Sequence, residues 1–580
     1  MKDPRDEMLR QALRSATPRP GPLVAEGGLL LFLGAFLLLP IGLAVGSAFV
    51  EQGRPSLYWL SRTLGDAVIV RYLLNGLLLA CCTTGVALLL ALPPAILRAK
   101  CRFRGDGVLG VLLLLPMILP PFVGALSMRR LLSRFGVINL LLERIGLLDF
   151  SQALPPNWLG TGFAGVVILQ ALHLFPILYL NASAALANID PAYPQAARNL
   201  GAGPIRTFLR VTLPLMRPGL FAGGTIVFIW SLTDIGTPLI IGYHRLAPVM
   251  VFKELGAAET TPRTYSLVFI LLSASVSLYI LGKFLFGRGL SGEMTKASAA
   301  AERKRLGAFP TVGAWVLLGV IIFAAVLPHI GVVLTALAGR WVNTVLPSEW
   351  TLEHLRFVLA RTSTRVAVTN SLTYASLSTV LDIILGCTAA WLIIRTRVPG
   401  RTLLDGLSMM PLAVPGLILA AGYVALTASG PLRPFGPHSN PVLILVIAYA
   451  VRRLPFMVRG VSAGLQQLPE TLVEAGRNLG AGKIAAAWRI TLPLIAANVI
   501  AGAVLTFAFA MLEVSDSLIL AQTPEYYPIT KEIYTQAMSG NPAAANIASA
   551  LGVYGMMLLG GTLALATALL GRRLGAIFRA

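Results

Sequence analysis

"EAGRNLGAGKIAAAWRITLPL", residues 474–494, is a polar, charged stretch inside a long run of apolar sequence. A near copy, "QAARNLGAGPIRTFLRVTLPL", occupies residues 195–215, and the copies agree at 13 of 22 positions when one further residue is included. Each predicts a short helix, a Gly-x-Gly turn and a second helix that is stopped or bent at Leu-Pro, because glycine allows positive φ and proline interrupts helices. A chain with the same polar helix–turn–helix 279 residues apart consists of two related halves.

Composition indicates a membrane protein. Of 580 residues, 56% are hydrophobic and only 12% are charged, whereas soluble chains have about a quarter charged. Apolar runs of about 20 residues, sufficient to cross a bilayer, recur along the sequence. The net charge of +22 comes from basic residues concentrated in alternate loops, which follows the positive-inside rule and excludes nucleic acid as a partner. We therefore predict an all-α polytopic membrane protein with about 12 transmembrane helices, membrane lipid as a partner and both termini cytosolic.

The spans are expected to form two pseudo-twofold-related six-helix halves. The first domain is predicted at 1–290 with its loop at 194–215, a polar cytosolic linker at 291–310, and the second domain at 311–580 with its loop at 473–494. Such duplication is typical of transporters that have a pathway between the halves. The predicted spans are 27–49, 69–97, 107–128, 161–187, 217–242, 265–287, 311–338, 366–394, 403–427, 441–466, 495–521 and 547–571.

The repetition extends beyond the two loops. Pro116 and Pro120 correspond to Pro411 and Pro415 at a spacing of 295 residues rather than 279. The 16-residue difference is an insertion in the first half, for which we predict a short amphipathic helix on the outer face.

Each repeated loop is predicted to lie against the cytosolic membrane face. Its arginines are expected to keep the outside polar, while Leu200, Leu213, Leu479 and Leu492 pack inward. A connecting elbow explains one glycine and one proline, but not two such similar copies. We interpret the loops as docking surfaces for two identical partners, with common descent contributing to their similarity.

The loops resemble the "EAA" loops of the membrane subunits of bacterial binding-protein-dependent ABC importers. That pattern is Glu-Ala-Ala, three residues, Gly, nine residues and Ile-x-Leu-Pro. The departures are Gln195 for Glu, Gly476 for the second Ala and Val211 for Ile. The matching positions are Ala196, Ala197, Gly201, Leu213 and Pro214 in the first copy and Glu474, Ala475, Gly480, Ile490, Leu492 and Pro493 in the second.

The resemblance implies a function as the permease subunit of an ABC importer in a bacterial inner membrane. In that family each loop docks as a coupling helix into an ATPase subunit, so two copies of an ABC ATPase, which bind ATP and Mg, are implied. A periplasmic or lipid-anchored substrate-binding protein would deliver the cargo. The fused layout most resembles ferric iron permeases, and similar permeases serve 2-aminoethylphosphonate, thiamine or polyamine.

The chain by itself is not expected to be an enzyme or to hold a cofactor. The nearest sequence to a phosphate-binding loop, "GAGKI" ending at Ile484, lacks the Ser or Thr that would hold magnesium. No Ser/His/Asp arrangement or metal-ligand spacing is present, so the catalytic set is empty and any metal ligands are unknown.

Charged residues inside spans are costly and therefore are candidates for a substrate pathway. Asp234 and Glu513 are 279 residues apart, as the loops are, and Asp516 follows Glu513 by about one helical turn. These carboxylates would attract a cation, unless they pair with Arg452 and Arg453. The remaining candidates, Asn75 and Asn370, either line the same path or form hydrogen bonds between helices.

Two other classes of protein remain open from the residues alone. A secondary transporter could also have twelve spans and a twofold repeat, but it would depend on an ion gradient and would not need paired docking loops. A channel or membrane scaffold would show neither ATP dependence nor a substrate-loaded partner.

Overall fold

The fold is described from a computed structural model that covers residues 20–51, 53–150, 154–255, 261–286 and 303–570. Both predicted cytosolic termini and residues 291–302 of the predicted linker lie outside these ranges. The end of the predicted linker lies within them, and there a helix begins at Ala308.

The first half consists of helices that differ widely in length. They are α1 (Pro20–Leu33), α2 (Leu39–Ser47), α3 (Tyr58–Gly65), α4 (Ala67–Lys100), α5 (Asp106–Leu112), α6 (Pro121–Leu132), α7 (Val137–Arg144), α8 (Phe163–Ala187), α9 (Ala192–Asn199), α10 (Pro204–Thr207), α11 (Leu213–Thr233), α12 (Gly236–Ile241), α13 (Ala247–Leu255) and α14 (Pro262–Phe286). A π-helical turn at Gly34–Leu38 joins α1 to α2, and a 3₁₀ turn at Leu115–Ile118 follows α5.

The second half repeats this order. Its helices are α15 (Ala308–Ala336), α16 (Glu353–Ala360), α17 (Thr362–Arg395), α18 (Arg401–Met409), α19 (Gly416–Thr427), α20 (Val442–Gln467), α21 (Glu470–Asn478), α22 (Lys483–Ala486), α23 (Leu492–Met511), α24 (Ser515–Leu520), α25 (Ile529–Ala537) and α26 (Ala544–Leu570). Shorter 3₁₀ turns lie at Met410–Leu412, Gly430–Phe435 and Pro524–Tyr526.

Three two-stranded ladders complete the described structure. β1 (Val50–Glu51) and β2 (Arg54–Pro55) are antiparallel. β3 (Cys101–Arg102) and β4 (Lys304–Arg305) are parallel and attach the end of the predicted linker to the first half. β5 (Ala338–Arg340) and β6 (Glu349–Trp350) are antiparallel.

Equivalent helices of the two halves begin at equivalent residues. Helices α3 to α6 and α16 to α19 begin 295 residues apart, whereas α8 and α20, and α12 and α24, begin 279 residues apart. The change of spacing falls at the predicted insertion, where α7 has no counterpart. The short helix predicted there is therefore present, as α7.

Each of the twelve predicted spans corresponds to a helix or a bent pair of helices. Among the described residues, nine helices are long and apolar enough to cross a membrane, and two helix pairs form bent spans. Helix α20 accounts for the twelfth span. It is 26 residues long, but its arginines exclude it from an assignment by hydropathy.

Two of the predicted spans, 107–128 and 403–427, are bent pairs of helices. The first bends by 94° and the second by 105°, at Pro120 and Pro415, whose backbones are extended with ψ of 135°. Proline lacks the amide needed to continue a helix, so both bends occur where the sequence has Pro-Pro or Pro-Gly. Each bend brings a non-helical backbone segment toward the centre of the molecule.

The first helices of each half pack against the opposite half. A Cβ atom on Gly422 of α19 would overlap the backbone of Pro40 in α2. In the reciprocal contact, a Cβ on Gly124 of α6 would lie 2.9 Å from Pro328 Cβ in α15, and Ser127 Oγ donates to Pro328 O at 2.9 Å. Each half therefore contributes one helix to the other's core.

Candidate functional site

The two repeated loops, loop 1 (194–215) and loop 2 (473–494), fold as the predicted helix–turn–helix. Helices α9 and α21 end at glycines with positive φ, +81° at Gly201 and +90° at Gly480. In loop 1 the amide of Ala202 donates to Ala197 O at 3.0 Å, and loop 2 has the same bond at the same length. This bond closes a Schellman motif, which favours glycine because it has no Cβ. Both glycines are thus explained by the turn.

The second helix of each loop continues into the membrane-spanning helix. A π-helical turn, Phe208–Thr212 in loop 1 and Ala487–Thr491 in loop 2, joins it to α11 or α23. Pro214 and Pro493 do not stop the second helix as predicted, because the helical run passes through both residues. The π-helical turn lies directly before each proline, where proline cannot donate the regular helical hydrogen bond.

The outer surface of the loops is more apolar than predicted. Leu200 is 88% exposed and Leu479 is 90% exposed, so the expectation that they pack inward is wrong. Each is the last residue before the left-handed glycine, where the turn directs the side chain away from the membrane helices. The other loop candidates divide by burial: Gln195, Ala196, Gly201, Glu474, Ala475, Gly480 and Pro493 are exposed, and Ala197, Leu213, Pro214 and Leu492 are partly buried.

A groove of about 490 Å³ adds to this apolar surface on loop 1, lined by Gly203, Pro204, Ile205, Arg206, Leu209 and Arg210. Ile205 is 74% exposed and Leu209 is 54% exposed. Exposed apolar side chains beside arginines are typical of the surface that a protein partner covers.

The departure at Gly476 lies at a contact with Ile490. A Cβ added to Gly476 would overlap Ile490 Cδ1, so the Ile490 side chain, in its present position, uses the space that glycine leaves. In loop 1 the equivalent residues are Ala197 and the smaller Val211. The two loops therefore distribute similar volume differently between one pair of positions.

A central cavity of about 140 Å³ lies between the halves. Its walls come from equivalent parts of both: the bends at Pro120 and Pro415, helices α8 and α20, and the ends of α11 and α23. The predicted acids Asp234 and Glu513 both line it, one from each half. The third predicted acid, Asp516, is buried behind this wall.

In the second half the acids are paired with arginines. Arg452 Nη1 donates to Glu513 Oε1 at 2.6 Å and to Asp516 Oδ2 at 3.3 Å. Arg453 also binds Glu513, through Oε2, and donates to Phe509 O at 2.9 Å. Gly416 lies against Arg452, because a Cβ there would overlap the guanidinium. Glu513 and Asp516 therefore form ion pairs with the arginines, which was the alternative to a role in the substrate pathway.

In the first half Asp234 accepts hydrogen bonds from neutral groups. Gln170 Nε2 donates to Oδ2 at 3.0 Å, while the amides of Gly236 and Thr237 donate at 3.1 and 3.3 Å. Glu513 likewise accepts the amide of Asp516, at 3.1 Å. Both cavity acids therefore cap a short helix, α12 or α24, where a span is interrupted.

Aromatic side chains border the cavity toward the repeated loops. Trp230 lies one turn before Asp234 on α11, and its ring meets Phe509 of α23 edge-on at 5.8 Å. Phe456 stacks on Phe509 with ring centroids 5.0 Å apart. This cluster joins the two halves where a pathway from the cavity toward the loops would run.

Asn75 and Asn370 do not line this cavity. Asn75 Nδ2 donates to Arg245 O at 3.1 Å, and Asn370 Nδ2 donates to Glu525 O at 2.8 Å and to Tyr527 O at 3.2 Å. Both side chains hold the segment that follows the interrupted span. Their shared position therefore has a structural role in both halves.

Two buried polar residues near this region were not among the sequence candidates. Gln170 links Asp234 to Ser231, whose Oγ donates to Gln170 Oε1 at 2.5 Å. Asp382 in α17 is 1% exposed and lies within Coulombic reach of Arg453. An acid within a predicted span was the signal available for Asp382, but its first-half counterpart is Ala87, so the search for symmetric pairs passed over it.

Among the residues that the structure describes, no group of three or more His, Cys, Asp and Glu side chains could hold a metal ion.

Residues 86–291 and 382–578 match the family described as the binding-protein-dependent transport system inner membrane component. The chain belongs to this family. The two matched segments contain the two repeated loops and both cavity acids, one of each in either segment. This inner membrane component is therefore a multi-pass protein in which the family sequence occurs twice.

Three relatives show how far the similarity extends. The ferric transport system permease protein FbpB of Actinobacillus pleuropneumoniae is 27% identical over 469 residues, 78% of this chain and 65% of that protein. The putative ferric transport system permease protein FbpB 1 of Haemophilus influenzae is 26% identical over 506 residues, 85% and 77% of the two chains. The molybdate/tungstate transport system permease protein WtpB of Pyrococcus furiosus is 27% identical over 261 residues, 44% of this inner membrane component and 94% of that protein.

Proposed function

We propose that this chain is the permease subunit of an ATP-driven ABC importer, and that loops 1 and 2 are its coupling helices. The observation that carries the proposal is the matched pair Leu200 and Leu479. Two leucines about nine-tenths exposed, at equivalent places in two loops of one fold, form a repeated apolar contact. Two copies of one partner would cover both.

The partner we propose is a separate ABC ATPase that binds ATP and Mg, one copy on each loop. The loops then face the cytosol, as do both termini, and a periplasmic or lipid-anchored binding protein delivers cargo at the opposite face. The two domains, 1–290 and 311–580, would move relative to one another. Because each loop continues directly into α11 or α23, displacement of a loop would move Asp234 or Glu513 at the other end.

The cargo we propose is ferric iron, with 2-aminoethylphosphonate, thiamine or polyamine as alternatives. Two relatives that align over most of the chain are named as ferric transport permeases. The relative named for molybdate and tungstate aligns with 44% of the chain. Asp234, which has no ion-pair partner among the described residues, also favours a cation over an oxyanion in the cavity.

Substitution of the two exposed leucines tests the coupling. Leu200→Asp and Leu479→Asp together should leave folding intact, because both side chains are exposed, and should remove the ATPase from the purified complex. Loss of a central apolar contact typically costs about 2 kcal/mol or more, about thirtyfold in affinity. Leu154→Asp is the matched control, since Leu154 is 73% exposed but lies outside both loops.

Reconstituted vesicles distinguish the importer from a secondary transporter. We expect uptake of ferric iron to require ATP and an iron-loaded binding protein, and to be abolished by the double leucine variant. If uptake instead depends on an ion gradient and is unchanged in the double leucine variant, the protein is a secondary transporter and not an ATP-driven importer.

A further inference from the structure

The two cavity acids occupy equivalent positions but have different electrostatic surroundings. The first-half counterparts of Arg452 and Arg453 are His173 and Leu174. Glu513 therefore faces two guanidinium groups, at 2.6 Å from Arg452 and in direct contact with Arg453. Asp234 faces the amide of Gln170 instead, at 3.0 Å.

This difference leaves a single uncompensated charge on the cavity wall. The charged residues that line it are Asp234, Arg452, Arg453 and Glu513. Within the described ranges, Asp234 has no Lys, Arg or His nitrogen within ion-pair distance. The other three are joined with Asp516, behind the wall, in one cluster of two basic and two acidic side chains. The remaining titratable group on the wall, His173, is held through Nδ1 by Pro116 O at 3.0 Å.

The hydrogen bonds that Asp234 accepts from Gln170, Gly236 and Thr237 favour its ionised form, and no basic side chain lies close enough to cancel that charge. It attracts a cation and repels an anion. A hard trivalent cation also prefers carboxylate oxygen and water as ligands over nitrogen or sulfur. The guanidinium cluster opposite contributes attraction to neither sign, because its charges already meet each other.

We propose that Asp234 alone selects the charge of the cargo, which is a hard cation, and that Glu513 is a structural partner of the two arginines. The proposal rests on the proposed function, since it assumes that this cavity is the transport pathway. It departs from the symmetry of the sequence, which gives both acids the same role. The two halves thus share a fold but divide the chemistry of the cavity.

The competing explanation is that Asp234 only caps α12. The cap is separable from the charge, because asparagine caps a helix as well as aspartate does. Asp234→Asn removes the charge and keeps the side-chain oxygen that accepts the amide of Gly236, although it gives up the hydrogen bonds that Oδ2 accepts from Gln170 and Thr237. Asp234→Glu keeps the charge but changes the reach of the side chain.

The experiment uses the full chain with its ATPase and ferric-loaded binding protein in vesicles, and measures iron uptake per ATP hydrolysed. We expect Asp234→Asn to lower this ratio by about tenfold or more and Asp234→Glu to stay within about threefold of wild type, because the charge carries the selection. Glu513→Gln serves as the comparison. It should lower the yield and melting temperature of the purified protein, because it leaves two buried guanidinium groups with one carboxylate fewer.

An Asp234→Asn protein with the wild-type ratio would overturn the proposal and leave Asp234 as a cap. So would an Asp234→Glu protein as inactive as Asp234→Asn. If ferric iron is not the cargo, the wild-type protein will not import it, and this outcome is distinct from any effect of the Asp234 variants. If wild type instead imports molybdate from a molybdate-loaded binding protein, charge selection predicts that Asp234→Asn increases that import, and an unchanged rate would overturn the role of Asp234 as well.

Discussion

Arg453 and Asp382 are a pair of charges that the first half does not contain. Their counterparts are Leu174 and Ala87, both apolar and buried. In the second half both side chains are at most 6% exposed, and neither Arg453 Nη1 nor either oxygen of Asp382 has a hydrogen-bond partner among the described atoms. Among the described residues they form no ion pair or hydrogen bond with each other, so the two residues should depend on each other only through the longer-range attraction of Arg453 for Asp382.

We expect Arg453→Leu alone to destabilise the protein by about 3–5 kcal/mol, because it leaves Asp382 and Glu513 short of a counter-charge. Adding Asp382→Ala should recover part of the loss by recreating the apolar pair of the first half. Melting temperatures of the two single variants and the double variant in detergent measure the coupling. Leu174→Met, a conservative change at the equivalent site, is the control and should cost less than about 1.5 kcal/mol. Strictly additive losses would show that Arg453 and Asp382 do not interact.

At the scale of elements, loops 1 and 2 reach the same shape with different side chains. Helices α9 and α21 end at equivalent residues, Asn199 and Asn478, and both turns depend on a glycine with positive φ. Loop 2 combines Gly476 with Ile490, where loop 1 combines Ala197 with Val211. The contact between Gly476 and Ile490 makes these two differences a single compensated change.

Gly476→Ala should weaken loop 2 by about 1 kcal/mol, the low end of the cost of overpacking, because the added methyl displaces the end of the Ile490 side chain. Gly476→Ala combined with Ile490→Val reproduces the Ala197 and Val211 pair of loop 1. This double variant should restore the stability of loop 2. The amount of ATPase retained by each purified variant gives the measurement. Ile490→Val alone is the control for the loss of one methyl, and a double variant no better than Gly476→Ala would refute the compensation.

At the scale of the whole molecule, the halves are held together by exchanged helices as well as by the linker. Helix α2 contacts α19 and helix α15 contacts α6, in both cases where a glycine lets a proline-containing helix approach closely. The ladder between β3 and β4 adds a backbone connection. Association of the halves should therefore survive a cut between them.

A chain expressed as residues 1–295 and 296–580 should copurify as a complex from one membrane. Gly422→Ala should reduce copurification, by about tenfold for each 1.4 kcal/mol of lost contact, because its Cβ overlaps the backbone of Pro40. Gly406→Ala is the matched control, as a Cβ on this helical glycine meets nothing within 4 Å. If the two fragments without any substitution purify separately, the linker and not the exchanged helices holds the halves together.

Features that depend on local pattern could be predicted from the amino-acid sequence. Apolar runs, paired prolines and the repeated "RNLGAG" are read along the chain, so they predicted the all-α class, the duplication, the insertion and the turns at Gly201 and Gly480. The spacing also identified Asp234 and Glu513 as equivalent residues. Apolar runs, prolines and glycines act on the backbone within a few residues of their own position, through backbone geometry or hydrophobicity.

Which side chains contact each other became known from the folded protein. Arg452 and Glu513 are 61 residues apart, and hydropathy gave no reason to choose their pairing over a pathway role. The exposure of Leu200 and Leu479 follows from the direction of a Schellman turn, and the choice of Gly476 follows from contact with Ile490. Charge compensation and burial are properties of the surroundings that packing assembles from distant segments, so two acids that the sequence treats as equals differ in the folded protein.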